Sequence, residues 1–259
     1  MRTYVVTGAA SGIGEATSQL LAERGHRVIG VDLRGTDIDA DLSNAEGRAE
    51  MVARVGELSG GTVDAVIANA GVATATARTV AVNYFGTVAT LTGLRPLLAG
   101  SPAPRAVATT SMASLFPPDD RLLEALLADD TDAAFSRAAE LEAAGGELGN
   151  RIYGTTKRAL ARWIRRNAAT AEWAGAGIPL NAVAPGVVVT PMTQEFTATE
   201  EARSAILQMV PMPLNGIFPP RDVAYPLAWL TSEENAHLCG QVVFIDGGSD
   251  VVIRGDSTW

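Results

Sequence analysis

The segment Thr7-Gly8-Ala9-Ala10-Ser11-Gly12-Ile13-Gly14 is the feature that most restricts what this chain can fold into. It comes directly after an apolar, β-branched run at Tyr4 to Val6 and opens a stretch of helical length from Gly14 to Arg24. Glycines at 8, 12 and 14 permit a tight turn, let backbone approach a ligand closely and let a helix start hard against a strand. The N-terminus of a helix leaving such a turn favours negative charge, above all a pyrophosphate. Glycines after a strand also make ordinary turns, so the segment takes its meaning from the rest of the chain.

Beyond Arg24 the chain alternates. Arg27 to Val31, Ala65 to Ala68, Ala106 to Thr110, Leu180 to Ala184 and Val242 to Ile245 read as further strands. Ala45 to Leu58, Asn83 to Leu98 and Tyr153 to Glu172 read as further helices. That order predicts an α/β fold: a doubly wound parallel sheet with right-handed crossovers. No proline- or glycine-rich linker and no repeat divides the chain, so all 259 residues are expected to form one domain. With 47% hydrophobic and 19% charged residues, the composition suits a sheet buried on both faces.

Two segments break the rhythm. Residues 115–150 hold two helical patterns. Asp119 or Asp120 caps the first, ahead of Leu122, Leu123, Leu126 and Leu127; Asp132 caps the second, ahead of Phe135, Ala138, Ala139 and Leu141, which closes at Gly145-Gly146. This reads as an inserted helical hairpin. It carries nine acids and two bases, whereas the other residues carry 20 acids and 18 bases, so the formal charge of -9 is mainly the hairpin's. The acidity disfavours nucleic acid as a partner, and an acidic flap beside a site would disfavour anionic substrates until salt screened it. Residues 191–220 bring Met192, Phe196, Met209, Met212 and Phe218. They are either the adaptable apolar surface of a substrate lid or the packing under an ordered loop.

The lone Cys239 cannot form an internal disulfide and reads as a small buried hydrophobe, as a reducing, cytoplasmic setting would leave it. No signal peptide and no membrane span are expected, since no window approaches 18 uninterrupted apolar residues. His26 and His237 stand isolated, and no metal is expected.

The candidate chemistry begins at Asp32, 18 residues beyond Gly14 and near the roughly 20 expected of a carboxylate that accepts from ribose hydroxyls. It favours NAD, because a 2′-phosphate would meet a like charge there. Arg34 is the counterargument, since a flexible guanidinium could reach that phosphate. Tyr153 and Lys157, four apart, share one helix face. An ammonium beside the phenol, with a positively charged nicotinamide, would favour the phenolate, and a fall of roughly two or three in pKa would suit general acid-base work. Ser111, at the carboxyl end of a strand, supplies a hydroxyl for a substrate oxygen, with Ser114 as a close competitor.

The glycine turn, Asn69-Ala70-Gly71, Asn83 in Val82-Asn83-Tyr84-Phe85-Gly86, Ser111, the Tyr153 and Lys157 pair, Pro185-Gly186 with Thr190, and Ile245-Asp246-Gly247-Gly248 resemble, in order, the short-chain dehydrogenase/reductase family. The resemblance spans nearly the whole chain and implies a Rossmann domain with a catalytic tetrad of Asn83, Ser111, Tyr153 and Lys157. It implies an NAD site built from Gly8, Ser11, Gly12, Ile13, Gly14, Asp32, Leu33, Asp41, Leu42, Asn69, Ala70, Gly71, Tyr153, Lys157, Pro185, Gly186, Val188 and Thr190. Asp41 and Leu42 would meet the adenine, and Val188 and Thr190 the nicotinamide amide. Lys157 would hold the ribose, and Asn83 would link it to solvent through its carbonyl and a water.

Most family members place the serine much nearer the tyrosine; here Ser111 and Tyr153 are 42 apart. The added hairpin, with Asp41-Leu42-Ser43 followed by Ala45-Glu46-Gly47-Arg48, Asn83-Tyr84-Phe85-Gly86 and the ending through Asp246-Gly247-Gly248 to Arg254, resembles a bacterial hydroxysteroid dehydrogenase and carbonyl reductase subset, which implies a small apolar, alicyclic or steroid-like alcohol or ketone as substrate. It precedes a helix that commonly packs on a second subunit, so a homodimer formed elsewhere on the surface is expected. Trp259 could cover the site, meet a subunit or fray. An NADPH-preferring carbonyl reductase and a non-catalytic dinucleotide sensor remain the alternatives.

Overall fold

The computed structural model describes residues 1–257, so Trp259 lies outside the described residues. Seven parallel strands form one sheet: β1 (Thr3–Thr7), β2 (Arg27–Asp32), β3 (Ile38–Asp39), β4 (Ala65–Ala68), β5 (Arg105–Thr109), β6 (Leu180–Pro185) and β7 (Val242–Ile245). Their order is β3-β2-β1-β4-β5-β6-β7. Between β1 and β5 lie α1 (Gly12–Glu23), α2 (Ala45–Ser59), α3 (Ala77–Val80) and α4 (Thr87–Leu98). After β5 come α5 (Asp120–Leu127), α6 (Thr131–Ala144) and α7 (Gly146–Asn167). The rest are α8 (Gln194–Thr197), α9 (Glu200–Met209), α10 (Pro220–Leu230) and α11 (Ser249–Arg254).

Successive strand side chains leave by opposite faces of the sheet. Val5, Ile29, Val66, Ala106 and Leu180 enter one core, which α2, α4 and α7 cover with Met51, Val55, Leu91, Leu94, Leu160 and Ile164. Tyr4, Val6, Ile67, Val107 and Val183 enter the other, closed by Leu20 and Leu21 of α1 and Val223 and Leu227 of α10. The six expected strands match these bounds within a residue, and the seventh, β3, is too short to show a pattern. It is found only through pairing, Val31 with Ile38 and Asp32 with Asp39.

The hairpin forms, with one cap displaced. Asp119 caps α5, its carboxylate accepting from Leu122 N at 2.9 Å. Asp130, not Asp132, caps α6, because its carboxylate accepts from Ala133 N at 3.0 Å while Asp132 already lies in the first turn. Gly145, at φ 62 and ψ -164, ends α6 and turns the chain so that α7 restarts at Gly146, two turns before Tyr153. That helix stops at Asn167, short of Glu172, where the chain folds back to bury Trp173 edge-on against Trp163. The helix expected from Asn83 starts earlier, as α3, and passes through a π-type turn over Ala81–Gly86 before α4. Among the described residues no helix is long and apolar enough to cross a membrane.

Because β1 sits between β2 and β4, the chain reverses direction across the sheet there, and a crevice opens at the carboxyl ends of those strands.

Candidate active site

The glycine turn lines that crevice. Gly8 and Gly12 adopt φ 71 and 56, the left-handed region. A Cβ on Gly14 would stand 2.0 Å from the Gly8 carbonyl oxygen, so only glycine lets α1 begin so close to the turn. Asp32, at the end of β2, accepts from Ala10 N at 3.0 Å and Leu33 N at 2.7 Å, which ties its carboxylate to the rim of the turn. Asn69 joins three strand ends. Its amide donates to Thr7 O at 3.3 Å and accepts from Thr109 Oγ1 at 3.0 Å, while Asn69 N and Ala70 N both donate to Thr7 Oγ1.

The crevice is a cleft of about 1120 Å³, open solvent included. Ser11, Gly12, Ile13, Asp32, Leu33, Asp41 and Leu42 line one end, Asn69, Ala70 and Gly71 the floor, and Ser111, Tyr153, Lys157, Pro185, Gly186, Val188 and Thr190 the other. Gly8 lines it too. Of the residues expected at the site, Gly14 and Asn83 stand behind the lining. Gly14 serves the packing of α1, and Asn83, fully buried in the π-type turn, exchanges both side-chain hydrogen bonds with Val72 (N to Oδ1 2.8 Å, Nδ2 to O 2.9 Å). Gly71 fits between Asn83 and Lys157, where a Cβ would lie 3.2 Å from Oδ1 and 3.5 Å from Nζ.

Residues not anticipated also line the cleft, among them Val31, Thr109, Thr110 and Arg78. Arg78 reaches across to Asp41, 3.4 Å from both carboxylate oxygens. No short motif signals it, since the two residues are far apart in sequence. Arg34, by contrast, is exposed and lies outside the lining.

The two candidate hydroxyls differ in their place relative to the cleft. Ser111 faces the cleft with Tyr153 and Lys157, whereas Ser114 is buried behind it and offers its carbonyl to Arg158. Lys157 Nζ donates to Thr109 O at 3.0 Å and lies 5.7 Å from the centre of the Tyr153 ring. Burial pulls the Lys157 amine down to about 8. Burial also raises the Tyr153 phenol, an effect that the neighbouring Ser111 hydroxyl partly offsets. The lowering expected from the ammonium together with a charged nicotinamide is not supplied by the protein alone: Lys157 Nζ donates to Thr109 O, and desolvation dominates at the phenol.

Residues 191–220 divide. Met212 packs in a small core with Met112, Val187 and Val210, against which Phe218 rests, while Met192, Phe196 and Met209 are 43%, 46% and 66% exposed. Met192 also lines the cleft. No residue of 115–150 lines the cleft itself; the hairpin packs on α7 and on α3, where Glu142 accepts from Ala77 N at 2.8 Å beside Arg78, and Phe135 stacks on Phe85. Its charge is also partly internal, as Arg137 pairs with Asp119 and Glu140 at 2.6 Å each. Cys239 is half-buried and donates to Ala168 O. His26 packs on Tyr4 and accepts from Arg2 N. Among the described residues no group of three metal-ligating side chains converges.

Comparison with known proteins agrees with this architecture. The short chain dehydrogenase family model matches residues 2–120, and the model described as enoyl-(acyl carrier protein) reductase matches residues 135–250. The 3-alpha-hydroxysteroid dehydrogenase/carbonyl reductase of Comamonas testosteroni is 35% identical, with 98% of each chain covered. The cis-4-hydroxycyclohexanecarboxylate dehydrogenase of Sinomonas cyclohexanicum is 28% identical, with 97% of each covered. The crystal structure of the 3-alpha-hydroxysteroid dehydrogenase from Pseudomonas sp. B-0831 complexed with NADH superposes with a TM-score of 0.86 at 39% identity, over 98% of this chain and 99% of that one. With the sheet order, the glycine turn and the Ser111, Tyr153 and Lys157 grouping, these matches show that the chain belongs to the short-chain dehydrogenase/reductase family.

Proposed function

We propose that this oxidoreductase interconverts a secondary alcohol and its ketone, on an alicyclic or steroid-like skeleton, with NAD as cofactor. The observation that carries the reading is the meeting of Ser111, Tyr153 and Lys157 at one end of a single cleft whose other end holds Asp32. The cleft wall made by Gly8 and Gly12, both at positive φ, with Ser11 and Ile13 at the start of α1, fits a dinucleotide. NAD, when bound, supplies the hydride acceptor and a positively charged ring.

The protein supplies the rest. Ser111 donates to the substrate oxygen as negative charge develops there. Tyr153 takes the alcohol proton as phenolate and returns it to the ketone as phenol. Lys157, held at Thr109 O, presents its remaining donors to the ribose and adds positive charge near the phenol. A π-type turn spaces carbonyls apart within a helix and often marks a working site; at Asn83 it suits the task of joining Lys157 to solvent. Asp32 offers acceptors to ribose hydroxyls and repels a 2′-phosphate, and Arg34 is outside the cleft. Both support NAD over an NADPH-preferring carbonyl reductase, as does the NADH in the Pseudomonas structure. A non-catalytic dinucleotide sensor would need none of the Ser111, Tyr153 and Lys157 grouping. Met192 and the exposed Phe196 and Met209 provide apolar surface for the substrate skeleton. Because α5 and α6 cover a face of α7, a homodimer would form on another surface.

The test compares NAD and NADP at equal concentration with cyclic and steroid alcohols, following the reduced cofactor. Turnover favouring NAD supports the reading; clear preference for NADP overturns the assignment of Asp32.

A further inference from the structure

Ser111 owes its place to the 3-10 turn Met112–Leu115, and that turn owes its place to α7. Ser111 Oγ accepts from Ala113 N at 3.1 Å and Ser114 N donates to Ser111 O at 3.0 Å, so the direction of the hydroxyl and the shape of the turn are one unit. A turn this short leaves its last carbonyls without partners of its own. Arg158, next to Lys157, provides them: Nε donates to Ser114 O at 2.7 Å and Nη2 to Leu115 O at 3.3 Å. Gly154, next to Tyr153, sets how near the turn comes, since a Cβ there would stand 3.0 Å from Ala113 O. Thr155 then fixes where the segment leaves, its hydroxyl accepting from Asp119 N at 2.9 Å.

We infer that Arg158 is a positioning residue whose two hydrogen bonds hold the Ser111 hydroxyl in register with the Tyr153 phenol. Arg158 and Gly154 lie outside the cleft lining and so touch neither substrate nor cofactor. A planar guanidinium suits the task because its fork can serve two successive carbonyls at once, which a lysine ammonium on a flexible stem cannot do with the same fixity. The inference rests on the proposed roles of Ser111 and Tyr153.

The experiment uses the full chain and three variants, Arg158→Met, Arg158→Lys and Gly154→Ala. It measures kcat and KM for a cyclic alcohol with NAD, NADH affinity by fluorescence, thermal melting, and the ultraviolet titration of the phenol in the unliganded protein. Arg158→Met is expected to lower kcat about 10- to 100-fold, the scale of a small misplacement of reacting groups, while NADH affinity holds. The pH at which oxidation switches on is expected to rise, because the phenolate loses the Ser111 hydroxyl. Arg158→Lys is expected to recover part of the rate. Gly154→Ala, which pushes the turn from the other side, is expected to reproduce the same split, and carries the test alone if Arg158→Met does not fold. A lower melting temperature with kcat and pH profile unchanged overturns the inference. If the wild type itself oxidises no alcohol, the proposed function falls, and the phenol titration still decides: no difference between wild type and variants overturns the positioning role as well.

Discussion

Lys157 is 4% exposed, and its hydrogen-bond partner is a neutral carbonyl, Thr109 O. The folded protein thus carries a buried ammonium with no counterion among the described residues, and replacing it by Lys157→Met should expose the cost as a function of pH. Burial takes the amine from 10.5 to about 8. At about 1.4 kcal/mol per pKa unit, that is about 3 kcal/mol of preference for the neutral amine. Below about pH 8 the amine is charged in folded and unfolded chains alike, and the folded state bears the full cost. Between about 8 and 10.5 the folded chain releases its proton first, the unfolded chain binds more protons, and stability rises with pH. The groups shared by wild type and variant cancel in the difference. The wild type should therefore gain about 2 kcal/mol relative to Lys157→Met between about pH 7 and about pH 9.5. For a chain of this length that is roughly 4–8 °C in the difference of melting temperatures. Urea unfolding or melting of both unliganded proteins over this range measures it. A difference that stays constant across the range would refute the claim that burial controls this amine.

Asp32→Asn should remove the charge that rejects a 2′-phosphate, lowering the ratio of kcat/KM for NAD over NADP by roughly 10- to 100-fold; steady-state kinetics with both cofactors reads this. Arg137→Met should strip a buried carboxylate of its partner, since Asp119 is 9% exposed at its side chain and accepts from Arg137 at 3.0 and 2.6 Å. A loss of about 2–4 kcal/mol is expected in denaturant unfolding near neutral pH. Arg137 holds the Asp119 carboxyl below its usual 3.8, so its stabilisation is complete above that value and disappears as pH falls through the folded pKa; the gap between wild type and variant should close in acid.

Much of this architecture is legible in the sequence because apolar period and glycine placement are local signals. The runs at Tyr4–Val6 and Ala65–Ala68 alternate between two cores, and the turn at Gly8, Gly12 and Gly14 sits where backbone must approach backbone. The features that stayed hidden depend on pairing across the chain. The strand at Ile38 exists only beside β2, and Arg78 enters the cleft only because α3 begins opposite Asp41. The cap at Asp130 turned on backbone angles that no residue type dictates. Tyr153 and Lys157 share one face of α7, yet their electrostatics are not a local signal. Period places two side chains side by side, while the direction of an ammonium and the depth of burial are properties of the packed fold.

The central claim is that Tyr153 moves the proton. Tyr153→Phe keeps the ring and its packing and removes only the hydroxyl, so NADH affinity should persist while kcat for oxidation of the best cyclic alcohol falls by about 10²- to 10⁴-fold. Oxidation at the wild-type rate by Tyr153→Phe would contradict the account.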